Sequence, residues 1–240
     1  MQGEQSPPSS DIRALFNRIA PVYDRLNQEL SWGQHRIWKK MAVKWAEPRE
    51  GDVGLDLCCG SGDLAVLLAR RVGQTGRVIG VDFAAEQLAI ARDRALALYP
   101  PLPLEWVESD VLSLPFEDER FDCATMGYGL RNVVDIRGCL QELRRVLKRD
   151  ASGAILDFNH PDNSLLRTFQ QWYLENQVVP TAQKWGLKED YAYIAPSLDR
   201  FPTGSEQVEL AREVGFASAV HYPIAGGMMG VLVVKKSPNF

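Results

Sequence analysis

The sequence has few of the residues that build metal sites and disulfide frameworks. Among its 240 residues are four cysteines and three histidines, with no C-x-x-C pair and no Cys/His spacing typical of metal ligands. We therefore expect neither a metal nor a disulfide framework. The cysteines fall in predicted strands and a helix, which indicates buried, reduced thiols in a reducing compartment: Cys58, Cys59, Cys123 and Cys139.

Long apolar runs and an excess of positive charge are also missing. No window approaches the roughly 20 apolar residues of a membrane-spanning helix. Residues 1–10 are polar, rich in Pro and Ser, and lack the apolar segment of a secretory signal. We therefore expect a cytoplasmic protein with a disordered segment at residues 1–10. The net charge of −4 gives no overall attraction to nucleic acid, so we expect no nucleic-acid partner.

The clearest local pattern is a glycine turn between a predicted strand and a predicted helix. Residues 52–57 read DVGLDL, residues 60–62 read GSG, and helical periodicity begins near residue 63. Glycines in such a turn let backbone N–H groups approach a ligand at the start of a helix. Asp82 ends the next predicted strand and is spaced to accept hydrogen bonds from ribose hydroxyls. The pattern predicts a nucleoside site formed by Gly60, Ser61, Gly62, Asp82 and Phe83.

Two classes of cofactor use this turn, dinucleotides and S-adenosylmethionine, and the letters GSGDLA fit both. Asp56 would repel a pyrophosphate but suits the ammonium group of a methionine moiety. Asp110, after a third predicted strand, is placed to accept from an adenine amino group. Three acids after three successive strands favour S-adenosylmethionine. Val111 and Gly127 complete the predicted cofactor contacts.

Two alternatives stay open at this point. Each of the three acids is, taken alone, equally suited to capping a helix. An NAD-dependent oxidoreductase is the main rival among enzymes, although Asp56 and Asp110 argue against it.

Predicted strands and helices alternate from residue 53 onwards. The strands fall near 53–58, 77–82, 104–109, 121–127 and 153–158, with helices near 63–72, 84–98 and 135–148. That alternation predicts an α/β fold with a parallel sheet. A helix near 164–185, a helix near 205–214 and a hairpin of strands 218–223 and 229–235 follow. We expect one domain over 11–240, made of an N-terminal helical lid (11–49), a cofactor-binding core (50–160), a substrate cap (161–203) and a C-terminal helix with strands (204–240).

Motifs outside the glycine turn resemble those of a known family. The stretches YDRLN at 23–27 and LSWGQHRIW at 30–38 are similar to the N-terminal signature of the quinone C-methyltransferases of ubiquinone and menaquinone biosynthesis. GLRNV at 129–133 resembles that family's GLRN motif, and RVLK at 145–148 resembles its second signature. The resemblance runs from about residue 15 to the end. It departs at 149–153, where RDASG replaces the usual Pro-Gly-Gly, and we expect only a turn to differ there.

The resemblance implies a fold and an activity. The fold is the Rossmann-like class I S-adenosylmethionine-dependent methyltransferase fold, a mostly parallel seven-stranded sheet with helices on both faces, a C-terminal antiparallel hairpin and an N-terminal helical lid. LCCGSGD at 57–63, MGYG at 126–129 and LDFN at 156–159 look like the branch from oxygenic photosynthesisers. That branch methylates the reduced ring of 2-phytyl-1,4-naphthoquinone, the last step of phylloquinone synthesis.

The resemblance therefore implies an enzyme that uses S-adenosylmethionine, without a metal, to methylate a prenylated (phytyl) naphthoquinol. A demethylmenaquinol or a benzoquinol of the ubiquinone pathway is the alternative substrate. A non-catalytic partner subunit with this fold is an alternative of a different class, although the retained glycines and acids argue against it.

Methylation of a ring carbon needs an electron-rich quinol, best as its mono-anion, so the acceptor site should stabilise a phenolate. Arg131 and Asn132, after the fourth predicted strand, are the catalytic candidates, the first by charge pairing and the second by orienting the quinol or a water. As the alternative, Arg131 pairs with Asp135 or Glu142 on the surface, and Asn132 caps the next helix.

The lid supplies further candidates. The resemblance favours Tyr23 as a cover for the cofactor and Asp24 as a catalytic residue that pairs with a basic neighbour or the quinol.

Residues 11–49 carry eight basic and four acidic residues. The segment 32–44 adds tryptophans, which settle at membrane interfaces while Lys and Arg meet the headgroups. We expect peripheral membrane contact there, with inward packing of the tryptophans as the alternative. A homodimer, and a plastid stroma or thylakoid location in a eukaryote, are further expectations.

Overall fold

The structure is a computed structural model that describes residues 9–20, 28–29, 31, 33–161, 163–184, 186–187 and 194–237. Its centre is a seven-stranded sheet of order β3-β2-β1-β4-β5-β7-β6. The strands are β1 (Val53–Leu57), β2 (Arg77–Asp82), β3 (Leu104–Glu108), β4 (Phe121–Gly127), β5 (Leu147–Phe158), β6 (Ser218–Ile224) and β7 (Met229–Lys235). Strands β1 to β5 are parallel, and β7 runs antiparallel to both β5 and β6. The predicted sheet and its C-terminal hairpin are confirmed.

Helices cover both faces of the sheet because its central strands are buried on both sides. On one face lie α2 (His35–Trp45) and α3 (Asp63–Val72), which share one core cluster. Helices α5 (Ile136–Val146) and α9 (Gly204–Glu213) belong to a second, larger cluster. Helix α4 (Ala85–Leu96) links β2 to β3. These boundaries lie within a few residues of the predicted ones.

The N-terminal region contributes α1 (Ser9–Ile19), which packs against α4. This helix begins two residues before the predicted boundary at residue 11, so Ser9 and Ser10 are helical rather than disordered. The predicted lid residues Tyr23 and Asp24, and Trp32, lie outside the described residues.

The segment after β5 differs most from the prediction. The expected helix at 164–185 is divided into α6 (Ser164–Tyr173), a π-helical turn (Leu174–Val178) and α7 (Val179–Gln183). A further helix, α8 (Ile194–Arg200), lies between the predicted helices at 164–185 and 205–214, where no helix was predicted. Its Pro196 falls in the first turn, where no backbone N–H is needed, and Leu198 is buried in a small cluster with Leu174 and Val178.

The departure from the family's Pro-Gly-Gly lies inside β5. The strand begins at Leu147, about six residues earlier than predicted, and its pairing with β4 shifts between Phe121–Leu147 and Cys123–Ser152. Within the shift, Asp150 has a φ of 61°. The chain accommodates the unusual residues as a bulge in the strand, where a turn was expected.

Candidate active site

A crevice of about 940 Å³, which includes space open to solvent, lies at the carboxyl ends of β1 to β4. This edge of a doubly wound sheet is the usual location of a nucleotide site. Eight of the predicted cofactor residues line it: Asp56, Gly60, Ser61, Asp82, Phe83, Asp110, Val111 and Gly127. Helix α1 contributes Ile12 and Phe16, so the N-terminal region does border the crevice.

Asp56 is the most unusual acid of the crevice because it is fully buried. Its Oδ1 accepts a hydrogen bond from the Thr125 hydroxyl at 2.7 Å, and its Oδ2 has no hydrogen-bond partner in the described part of the chain. Burial raises the pKa of Asp56 to about 7, against the lowering effects of Thr125 and Lys39. A buried carboxylate oxygen without a partner, facing a crevice, fits the ammonium group of a methionine moiety.

Asp82 fixes the glycine turn. Its Oδ2 accepts from the Gly60 amide at 2.8 Å, and its Oδ1 accepts from the Ala84 amide at 2.9 Å. Burial raises the pKa of Asp82, and these backbone hydrogen bonds oppose that rise. Gly60 has a φ of 53°, in the left-handed region that suits glycine. Each carboxylate oxygen retains a further lone pair, so Asp82 is still able to accept from ribose hydroxyls.

The third acid is more open. Asp110 is exposed and follows β3, and its Oδ1 accepts from the Leu112 amide at 2.9 Å. That local bond sets the direction of the side chain. The second carboxylate oxygen is an acceptor at the crevice wall, consistent with the predicted contact to an adenine amino group.

Gly62 has a structural reason to be glycine. It caps α3 with a φ of 89°, and a Cβ atom there would lie 2.6 Å from Cη2 of Trp106. Gly62 does not belong to the described lining of the crevice. Its small size therefore allows α3 to begin against Trp106, beside the backbone that the ligand would contact.

Arg131 is held inside the protein. Its Nη1 donates to the Tyr128 carbonyl at 2.8 Å and to Oδ1 of Asp157 at 2.7 Å, and both side chains of this ion pair are less than 10% exposed. The backbone amide of Arg131 donates to the other Asp157 oxygen. Arg131 does not belong to the described lining of the crevice. The predicted alternative, a surface pair with Asp135 or Glu142, is wrong because Asp157 is the partner.

Asn132 does line the crevice, and its Nδ2 donates to the Tyr128 carbonyl at 3.1 Å. The predicted alternative role, capping the next helix, belongs to Asp135, whose Oδ1 accepts from the Gly138 amide. Two side chains therefore hold the same carbonyl, and together they fix the turn after β4.

Lys39 is a residue of the crevice that the sequence patterns did not predict. Its side chain is 8% exposed, its Nζ lies 2.9 Å from Oδ2 of Asp63, and both residues line the crevice. Burial alone would raise the pKa of Asp63, but pairing with Lys39 and Arg94 lowers it overall. Lys39 lies in the segment 32–44 that was predicted to contact a membrane, but it belongs to the buried face of α2, with His35 and Ala42, and takes no part in such a contact. Helical spacing from those residues was the signal that could have identified it.

Similarity to known proteins identifies the family. The model of the ubiE/COQ5 methyltransferase family matches residues 4–236. This chain belongs to the ubiE/COQ5 methyltransferase family. The predictions of the family, of a methyltransferase and of S-adenosylmethionine as its methyl donor are confirmed.

Three relatives of this family member span nearly its whole length. The 2-phytyl-1,4-naphtoquinone methyltransferase of Trichormus variabilis is 66% identical over 95% of this chain and 100% of its own. That of Synechocystis sp. is 58% identical over 96% of this chain and 97% of its own. The chloroplastic 2-phytyl-1,4-beta-naphthoquinone methyltransferase of Arabidopsis thaliana is 52% identical over 95% of this chain and 88% of its own.

Solved structures are similar in fold at low sequence identity. A SAM-dependent methyltransferase from Thermotoga maritima gives a TM-score of 0.67 at 21% identity, covering 93% of this chain and 99% of its own. One from Aquifex aeolicus gives 0.61 at 18% identity, covering 88% and 97%. The class I methyltransferase fold of this family member is thereby confirmed.

Proposed function

We propose that the protein methylates a ring carbon of the reduced form of 2-phytyl-1,4-naphthoquinone, the last step of phylloquinone synthesis. The observation that carries this proposal is 66% identity, over 95% of the chain, to a 2-phytyl-1,4-naphtoquinone methyltransferase, in a chain whose crevice has a glycine turn and three acids. When bound, S-adenosylmethionine supplies an electrophilic methyl group.

The donor side is assigned from the contacts of the crevice. Asp56 binds the ammonium group through its unpartnered Oδ2, and Asp82 accepts from the ribose. Asp110 accepts from the adenine amino group. Gly60 and Ser61 present backbone to the methionine moiety at the start of α3.

The acceptor side lies at the turn after β4. Asn132 orients a quinol hydroxyl from the wall of the crevice. Arg131 and Asp157 hold that turn through the Tyr128 carbonyl and the Arg131 backbone amide. The predicted contact of the Arg131 guanidinium with the quinol oxygen, and the lid roles of Tyr23 and Asp24, stay predictions of this proposal.

Peripheral membrane contact is also proposed, through the exposed stripe of α2. Arg36, Lys40 and Lys44 recur every four residues and are exposed, and Ile37 beside them is 60% exposed. A basic stripe with an exposed apolar residue suits an anionic bilayer that holds a phytyl-tailed substrate. Trp38 and Trp45 pack inward, the latter stacked on Tyr222 with ring centroids 4.8 Å apart. No helix within the described ranges is long and apolar enough to cross a bilayer.

The substrate is tested with S-adenosylmethionine labelled in its methyl group. The enzyme is incubated with two reduced acceptors in parallel, the phytyl naphthoquinol and a benzoquinol of the ubiquinone pathway. We expect the label in the naphthoquinol, and label only in the benzoquinol would overturn the proposal.

A homodimer, which also stays a proposal, is tested by equilibrium sedimentation.

The membrane contact is tested by co-sedimentation with vesicles that contain anionic lipid. We expect the double variant Lys40→Glu/Lys44→Glu to lose most binding. The matched control, Arg70→Glu/Arg71→Glu, reverses two exposed charges at the end of α3 and should bind normally. Equal loss in both variants would indicate a general charge effect and would exclude the stripe as the contact.

A further inference from the structure

Gln87 on α4 is a buried amide that borders the crevice with one acceptor unused. Its side chain lines the crevice, and the residue is 1% exposed. Its Nε2 donates to the Phe16 carbonyl at 3.3 Å, whereas its Oε1 has no hydrogen-bond partner in the described part of the structure. A buried acceptor without a donor is unfavourable, so a native protein usually satisfies it with a ligand or water.

The position of Oε1 indicates which part of a ligand would satisfy it. It lies 3.7 Å from the point where a Cβ on Gly60 would stand. The Gly60 amide is the group that Asp82 binds at 2.8 Å. Gln87 Oε1 therefore borders the same corner of the crevice as the carboxylate assigned to the sugar.

The other end of the amide holds the N-terminal helix. Helix α1 is joined to the start of α4 by the Gln87–Phe16 hydrogen bond and by the Glu86 amide, which donates to Oδ1 of Asn17 at 3.2 Å. Phe16 itself lines the crevice, whereas Asn17 does not belong to its described lining. One carboxamide thus places its unpartnered oxygen beside Gly60 at the crevice and donates from its nitrogen to α1.

We propose that one ribose hydroxyl of the methyl donor donates to Gln87 Oε1 while the other donates to Asp82, and that the bond to Gln87 couples donor binding to the docking of α1. The proposal rests on the donor assigned above. A ligand that fixes the carboxamide oxygen also fixes the direction of its N–H toward the Phe16 carbonyl. Because coupling between binding events is reciprocal, stabilising α1 must strengthen donor binding by the same factor.

The sugar contact is tested with S-adenosylhomocysteine and its 2′-deoxy and 3′-deoxy analogues, titrated calorimetrically into the full chain. We expect the wild type to bind each deoxy analogue about tenfold more weakly than the parent, because each analogue lacks a hydroxyl bound by Asp82 or by Gln87. Gln87→Leu should lose about tenfold for the parent and show no further loss for the analogue that lacks the hydroxyl bound by Gln87. If Gln87→Leu keeps the full discrimination against both analogues, the sugar contact is excluded.

Coupling to α1 is tested by hydrogen exchange of residues 9–20 with and without S-adenosylhomocysteine. Ligand should slow exchange in the wild type. Gln87→Leu loses both the acceptor and the N–H, so it should lose the slowing. Asn17→Ala, the control, weakens α1 without touching the ligand and should lower affinity for all three ligands by one common factor. Unchanged ligand-induced slowing in Gln87→Leu would overturn the coupling.

The outcomes separate this inference from the proposed function. If wild-type protein fails to bind S-adenosylhomocysteine, the donor site itself is wrong. If it binds and Gln87→Leu binds all three ligands as the wild type does, only the role of Gln87 is overturned. Circular dichroism and the Tm of each variant confirm that it is folded before titration.

Discussion

Lys39 of α2 lies with its Nζ 2.9 Å from Oδ2 of Asp63, the first residue of α3. The pair joins the N-terminal region to the helix that begins at the glycine turn. Its cation also lies 5.9 Å from the centre of the Tyr128 ring and acts on the buried carboxyl of Asp56. One positive charge therefore influences the donor side and the acceptor side of the crevice.

Removing that charge should weaken donor binding. Lys39→Met keeps an unbranched apolar stem but removes the cation that lowers the pKa of Asp56. The carboxyl should then be less ionised at pH 7, and affinity for S-adenosylhomocysteine should fall about three- to tenfold, measured by calorimetry. Lys40→Met, on the exposed side of the same helix, is the control. Equal losses in the two variants would contradict a specific role for Lys39.

Donor binding should depend on pH through Asp56. The ammonium group needs an ionised carboxylate, and burial raises the pKa of this carboxyl to about 7. Affinity for S-adenosylhomocysteine should therefore rise about tenfold per pH unit below pH 7 and level off above it. Asp56→Asn should bind weakly with little pH dependence. A slope that persists in Asp56→Asn would assign the titration to another group.

Ionisation of Asp56, which should favour donor binding, should lower the stability of the ligand-free protein. Between its ordinary pKa of 3.8 and about 7, Asp56 keeps a proton in the folded state that the unfolded chain has released. Its contribution to the free energy of unfolding therefore decreases as pH rises through that interval. Urea titrations from pH 4.5 to 8 should show a flatter profile for Asp56→Asn.

Arg131→Ala should reduce turnover while leaving affinity for S-adenosylhomocysteine nearly unchanged. It should also lower the free energy of unfolding by about 3–5 kcal/mol, because Asp157 would remain buried without its partner. The double variant Arg131→Met/Asp157→Asn removes both charges and should recover much of that stability. If turnover recovers with it, Arg131 serves only to hold the turn, and a contact with the quinol oxygen is excluded.

The two glycines of the turn should respond differently to alanine. In Gly62→Ala the new Cβ would meet Trp106 at 2.6 Å with a φ of 89°, so the free energy of unfolding should fall by about 2 kcal/mol or more. In Gly60→Ala the nearest atom is Gln87 Oε1 at 3.7 Å, and the backbone strain should cost about 1 kcal/mol. Its methyl group borders the crevice, so Gly60→Ala should lose more ligand affinity than Gly62→Ala.

Local patterns predicted the parts of the molecule that depend on neighbours in sequence. The strand before Gly60, the left-handed glycines and the acids at three strand ends follow from alternation, turn chemistry and spacing, and the structure brings Asp56, Asp82 and Asp110 to one crevice. The π-helical turn and α8 instead bury Leu174 and Leu198 in one small cluster. That cluster joins residues far apart in sequence, so helix periodicity and Pro196 could not reveal it.

Partners of charged residues were the least predictable feature. Arg131 has acids at positions 135 and 142, but it pairs with Asp157, which strand pairing brings beside it. Lys39 stands among basic residues yet faces Asp63. Both partners are set by topology, because the parallel order β4-β5 and the contact of α2 with α3 decide which acids are near.

Asp157 links the C-terminal hairpin to the turn after β4. Asp157 is paired in register with Gly230 of β7, and β7 in turn is held by β6. A displacement of those last two strands would act through Asp157 on the turn after β4, where we propose the acceptor site, while the crevice at β1 and β2 is built without them. Changes near the carboxyl terminus are thus a route by which selection could retune acceptor preference and leave donor recognition intact.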